Sequence, residues 1–71
     1  MSEPLQKRFG SRIRALRKGR GLSQEEFADL CGLDRTYISG IERGVRNPTL
    51  QIIAVLPAAL DLKLAVLFGE L

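Results

Sequence analysis

A chain of 71 residues, 45% hydrophobic and with a single cysteine, has room for one small core and no disulfide framework, so its stability must come from efficient helix packing or a partner subunit. Lone Cys31 suits a reducing cytosol, the start MSEPLQKRFG lacks the apolar centre of a signal peptide, and no run nears the roughly 18 apolar residues of a membrane span; a soluble, cytoplasmic protein is expected. Residues 1–46 carry ten of the eleven Lys and Arg against six acids, whereas residues 47–71 carry Lys63 against Asp61 and Glu70. A basic first part beside a nearly neutral, apolar end implies two surfaces with different partners; nucleic acid or anionic lipid fits the first, with a solvated basic face as the plain alternative.

In chain order the pattern predicts five helices and no strand, an all-α bundle. Leu5, Phe9, Ile13 and Leu16 step by four, four and three, which sets one apolar stripe on a helix over residues 5–18. Gly19 and Gly21 end it. Ser23 opens a second helix, and Glu26 three residues later completes a capping box; Phe27, Ala28, Leu30 and Cys31 are its expected buried face. Gly32 stops that helix, and Asp34 caps a third that ends at Gly44. Residues 45–48 read as a loop, Thr49 caps a fourth helix to about Leu60, and a fifth covers roughly residues 62–68. With no repeat, linker or low-complexity tract, residues 1–71 are expected to form one domain.

The informative spacing is Gln24, Ala28, Gly32, Leu33 and Ile38. Helices joined by about three residues must cross steeply, which calls for a small residue at the approach (Ala28), a left-handed turn residue (Gly32) and apolar contacts behind (Leu33, Ile38). Such a helix-turn-helix, here about residues 23–43, lets its second helix enter a DNA major groove. On a 100° wheel Ile38 and Ile41 point inward, while Thr36, Ser39, Gly40 and Arg43 fall opposite. That outer face is short of good helix formers but rich in hydrogen-bonding groups. Arg35, Thr36, Tyr37 and Ser39 are the candidate base readers, Arg35 for a bidentate contact to guanine. Gly40 is expected to give clearance in the groove. Gln24 at a helix start, with Arg43, Arg46 and Asn47 where the third helix runs into its loop, are the candidates for the DNA backbone. Simple helix initiation remains an alternative for Gln24, and a solvated turn for Asn47.

The stretch LDRTYISGIERGVRNPTL, set in this helix-turn-helix, resembles the phage repressor and Cro proteins and, within them, the controller regulators of restriction–modification systems. The resemblance spans about residues 8–68. It implies a compact, lambda-repressor-like five-helix fold that binds double-stranded DNA as a homodimer on a pseudo-palindromic operator, without a cofactor, in the nucleoid. It also implies a partly buried ion pair between Arg17 and Glu42, contacts to phosphate or the groove edge from Arg46 and Asn47, and activation at low occupancy followed by repression at high. Contact with RNA polymerase would use an acidic patch, for which Glu25 and Asp29 are candidates. The chain departs from the family pattern at Pro57, which is expected to kink the fourth helix, at Asp61, where a glycine is usual, and at Lys63, where a Ser or Thr cap is common.

The end, LKLAVLFGEL, is too apolar for one helix face. Residues 49–71 are therefore expected to form a dimerisation segment with Leu62, Val66 and Phe68 at the seam; a tail folded over its own core is the alternative. Cys31 reads as a small core residue. Without histidine or a carboxylate cluster, neither an enzyme nor a metal site is expected, and no small-molecule ligand or membrane partner is evident. A phage-type repressor, an antitoxin, or a protein-interaction module that has lost DNA binding are the remaining alternatives.

Overall fold

The computed structural model describes residues 3–69 and 71. They fold into α1 (Leu5–Gly19), α2 (Gln24–Cys31), α3 (Arg35–Arg43), α4 (Leu50–Ala59) and α5 (Leu64–Phe68). α3 packs on α1 and α2, α4 lies against α2, and α5 closes the bundle against α1 and α4. Phe9, Ile13, Phe27, Ile38, Ile41, Leu56, Leu60 and Leu67 meet in the core.

Local chemistry sets the helix starts. The Ser23 hydroxyl accepts from the Glu26 amide at 3.0 Å, and the Ser23 amide donates to Glu26 Oε1 at 2.8 Å, forming a complete capping box. The Asp34 carboxylate accepts from the Thr36 amide at 3.2 Å, and the Thr49 hydroxyl from the Ile52 amide at 3.2 Å. One device closes four helices: an amide reaches back five residues, from Leu22 to Arg17, Leu33 to Ala28, Val45 to Gly40 and Leu62 to Pro57. Each closure contains a left-handed residue, namely Gly21, Gly32, Gly44 and Asp61. Asp61, at φ 57°, thus takes a backbone conformation that favours glycine; aspartate is among the few residues that tolerate it.

Several expectations change. The inner stripe of α1 runs Phe9, Ile13, Arg17, with Leu5 exposed at the free end of the helix. Leu30 is 60% exposed, because it lies about 110° around the wheel from the face shared by Phe27, Ala28 and Cys31. Cys31 is half-buried, and burial pushes its thiol up to about 11. α4 continues two residues past Pro57, whose carbonyl then accepts from the amides of Leu60 and Leu62 at 3.0 and 2.8 Å. Leu62 and Lys63 belong to that closure and to the cap of α5, so the last helix begins at Leu64.

Candidate nucleic-acid interface

The turn between α2 and α3 is built by Gly32 and Leu33. Gly32 adopts φ 70°, and the Leu33 amide donates to the Ala28 carbonyl at 2.9 Å. Ala28 is buried where α2 meets the bundle, and Leu33 packs against the core beside Ile38. The crossing turns α3 outward, so Arg35, Thr36 and Arg43 are exposed and Tyr37 and Ser39 half-buried. Arg46 and Asn47, in the loop after Gly44, are exposed; Arg46 lies over α3 at Gly40 and Tyr37, whereas Asn47 borders a groove with Leu5, Phe9 and Phe68, and Gln24 is half-buried at the start of α2.

A polar relay runs from the core to this face. Arg17 Nε donates to Glu42 Oε2 at 2.7 Å and Nη2 to Oε1 at 3.0 Å, with side chains only 8% and 2% exposed. The remaining guanidinium nitrogen, Nη1, donates to the Leu22 carbonyl at 2.7 Å, which ties the α1–α2 turn to the same pair. Hydrogen bonding to Glu42 holds the Arg17 guanidinium above its usual value, against the opposing effect of burial. Gln24 Nε2 donates to Glu42 Oε1 at 3.0 Å, and its Oε1 accepts from Arg35 Nη1 at a long 3.5 Å. Gln24 is therefore a link in this relay, with a side chain already engaged on both ends. At the start of α3 the Thr36 hydroxyl donates to the Asp34 carboxylate, the main cause holding that carboxyl below its usual range.

Two glycines have structural causes that the sequence reading missed or misplaced. A Cβ on Gly10 would sit 2.2 Å from the Ile41 carbonyl oxygen and 2.7 Å from that of Glu42. α1 and α3 thus touch backbone to backbone at this point. The available signal was a glycine inside a strongly patterned helix, where it costs about 1 kcal/mol relative to alanine and so implies a packing reason. Gly40 is not open to solvent as the wheel implied: it is buried beneath the side chain of Arg46. A wheel treats a helix in isolation, whereas here the loop after Gly44 folds back, and the Arg46 guanidinium lies 5.1 Å from the centre of the Tyr37 ring.

The candidate seam residues lie on α5 and in the segment that leads into it. Phe68 is 44% exposed and stacks on Phe9 with centroids 5.5 Å apart; Leu62 and Val66 are half-buried. Phe68 lines a largely apolar groove with Leu5, Phe9, Pro48, Ile53 and the DNA-backbone candidate Asn47, and Leu64 is also exposed. Arg8 Nη1 and Arg12 Nη2 donate to the carbonyls of Leu71 and Val66, each at 2.8 Å, tying α5 to α1. Glu25 and Asp29 are exposed on α2. Among the described residues no helix is long and apolar enough to cross a membrane, and no group of three His, Cys, Asp or Glu is placed to hold a metal ion.

Comparison with known proteins places this geometry. A helix-turn-helix family model matches residues 13–67. The chain is 45% identical over 65 residues to the control protein C.MunI of Mycoplasma sp, covering 90% of this chain and 88% of that one. The crystal structure of the restriction–modification controller protein C.AhdI from Aeromonas hydrophila superposes with a TM-score of 0.87 at 51% identity, over 89% of this chain and 96% of that one. SinR, a master regulator for biofilm formation solved in complex with DNA, superposes with a TM-score of 0.78 at 36% identity, over 84% of this chain and 97% of that one.

Proposed function

The chain belongs to the helix-turn-helix family and is a DNA-binding regulator closely related to the restriction–modification controller proteins; from that premise we propose that it is itself the controller of such an operon, acting as a homodimer on a pseudo-palindromic operator at its own promoter. The observation that carries the reading is the outer side of α3, where Arg35 and Thr36 are exposed and Ser39 half-buried, with Tyr37 half-buried against the core on the neighbouring side. Arg35 reads guanine, Thr36 and Ser39 meet base edges or a thymine methyl, and Tyr37 lines the groove wall. Gln24, Arg43, Arg46 and Asn47 hold the DNA backbone and fix register without reading sequence. The Arg17–Glu42 pair fixes α1 against α3, and through Gln24 it steadies the start of the reading helix.

The dimer rests on the apolar end of the molecule. Phe68 and Leu64 remain substantially exposed after the core is complete, and with Leu62 and Val66 they supply the seam of a twofold pair. Such a pair presents its two α3 helices to half-sites about 34–36 Å apart, one turn of DNA. Glu25 and Asp29, on the outside of α2, are the candidate contacts to RNA polymerase.

Footprinting on the DNA upstream of the chain's own gene tests this reading, together with a salt series on the protected duplex. Protection of two half-sites one turn apart is expected, with affinity falling steeply as salt rises in proportion to the phosphates neutralised. Weak binding to all DNA with a flat salt profile would instead identify an interaction module that keeps the fold and has lost the activity.

A further inference from the structure

The burial of Gly40 has a consequence for the reading loop. Gly40 lies one helical turn after Tyr37, so the two share one side of α3. Arg46 crosses that side. Its stem runs over Gly40 and its guanidinium ends on the Tyr37 ring, 5.1 Å from the centroid. A Cβ at position 40 would come within 2.5 Å of Arg46 Cγ and 3.4 Å of both Cδ and Nε. The stem has little room to retreat, because its own backbone is held at the same place: the amides of Val45 and Arg46 both donate to the Gly40 carbonyl, at 3.0 and 3.2 Å. With the Arg46 backbone fixed, clearing a methyl group at position 40 requires a different side-chain rotamer, which swings the guanidinium off the ring.

We propose that Gly40 is a positioning residue for Arg46: its missing side chain forms the seat that holds this guanidinium on Tyr37, already aimed at DNA before DNA arrives. A cation–π contact with the ring holds the guanidinium without using its N–H groups as hydrogen-bond donors to an acceptor atom, so they can meet phosphate or base acceptors. A pre-set side chain loses less rotamer freedom on binding than a free one. The inference rests on the reading that Arg46 contacts DNA. It differs from groove clearance, in which a methyl group at position 40 would clash with DNA whatever residue stood at position 46.

A double-mutant cycle on the full chain separates these cases. Wild type, Gly40→Ala, Arg46→Ala and the double variant are titrated by fluorescence anisotropy against the footprinted operator at one salt concentration, with thermal melts alongside. Gly40→Ala is expected to weaken binding about tenfold, within the range of couplings between contacting residues, while melting at or above the wild-type temperature because alanine favours helix. In the Arg46→Ala background the same change is expected to have no further effect. An equal loss in both backgrounds overturns the proposal in favour of groove clearance, and undiminished binding by Gly40→Ala overturns it outright. NMR of the free protein keeps the test independent of the DNA reading. Arg46 side-chain protons are expected to be shifted upfield by the Tyr37 ring in wild type and to return to ordinary positions in Gly40→Ala. Unshifted protons in wild type contradict the seat. If the NMR change occurs but Arg46→Ala binds operator as wild type does, the seat stands and the assignment of Arg46 to DNA, with the functional half of the proposal, falls.

Discussion

Removing the Glu42 carboxylate perturbs the molecule at the point where its core meets its reading helix. In Glu42→Ala the Arg17 guanidinium loses two charge-assisted bonds, of 2.7 and 3.0 Å, and Gln24 loses its 3.0 Å acceptor. Arg17 keeps only its bond to the Leu22 carbonyl. Because the two side chains are 8% and 2% exposed, solvent cannot replace what is lost, and breaking a buried pair from one side costs about 3–5 kcal/mol. A domain of this length has roughly 4–11 kcal/mol in total at 0.05–0.15 kcal/mol per residue, so the variant loses between about a quarter and all of it. The melting temperature should fall by roughly 12–40 °C at 4–8 °C per kcal/mol. Urea unfolding monitored by circular dichroism reads the effect. Glu42→Gln, which keeps an acceptor oxygen without the charge, should fall between wild type and Glu42→Ala. The apolar double replacement Arg17→Met with Glu42→Leu should come within about 2 kcal/mol of wild type, since a buried pair is often no better than well-packed apolar groups. The elevated Arg17 value places loss of the pair only above the ordinary arginine range, so stability should not change through it between neutral pH and pH 10. A cost below about 1 kcal/mol for Glu42→Ala would refute the view of this pair as a buried, solvent-excluded tie.

Other expectations concern the ends of the helices. Asp61→Gly relieves the left-handed backbone at φ 57°, and Lys63→Ser supplies a side-chain cap to α5, which has none; each should add about 0.5–1 kcal/mol by urea unfolding. The Ser23 amide, and then its hydroxyl, hold the Glu26 carboxyl below its ordinary 4.5. Its contribution to stability is therefore complete above that pH and is lost as pH falls through the lower folded value. Glu26→Gln should flatten the decline of the urea midpoint between pH 5 and 3 while weakening the protein at pH 7. Phe68→Glu places a charge on the proposed seam, and sedimentation should find monomers that bind half-sites weakly; an unchanged dimer would move the seam elsewhere.

Helix starts and stops were legible in the sequence because they are local. Ser23 with Glu26, Asp34, Thr49 and the glycines at positions 21, 32 and 44 need only neighbouring backbone to act. The left-handed role of Asp61 was readable only as a departure from a family pattern, since aspartate is seldom required there. Long-range features were less visible. A wheel spreads apolar residues around an axis but does not say how wide the covered arc is, and so Leu5 and Leu30 were expected inside and lie outside. Gly10 reports a contact between α1 and α3 about thirty residues apart in sequence, for which no pattern within α1 could name the partner. The burial of Gly40 is invisible on a wheel because its cover, Arg46, belongs to a loop whose course depends on the closure at Gly44. Gln24 was expected to serve a phosphate from a helix start, and the structure adds that its amide also links Glu42 to Arg35.

Arg35 gives the most direct test of the claim that the outer face of α3 reads bases. Its guanidinium is exposed at the start of that helix and shares a long contact with Gln24. Affinities of wild type and Arg35→Ala can be measured across operators carrying each single base-pair change, at two salt concentrations. The account predicts that Arg35→Ala folds normally and loses about 1–3 kcal/mol of preference at one base pair per half-site, with discrimination elsewhere retained. Uniform weakening on every duplex, with the salt slope reduced by about one, would show that Arg35 holds a phosphate and would contradict the reading.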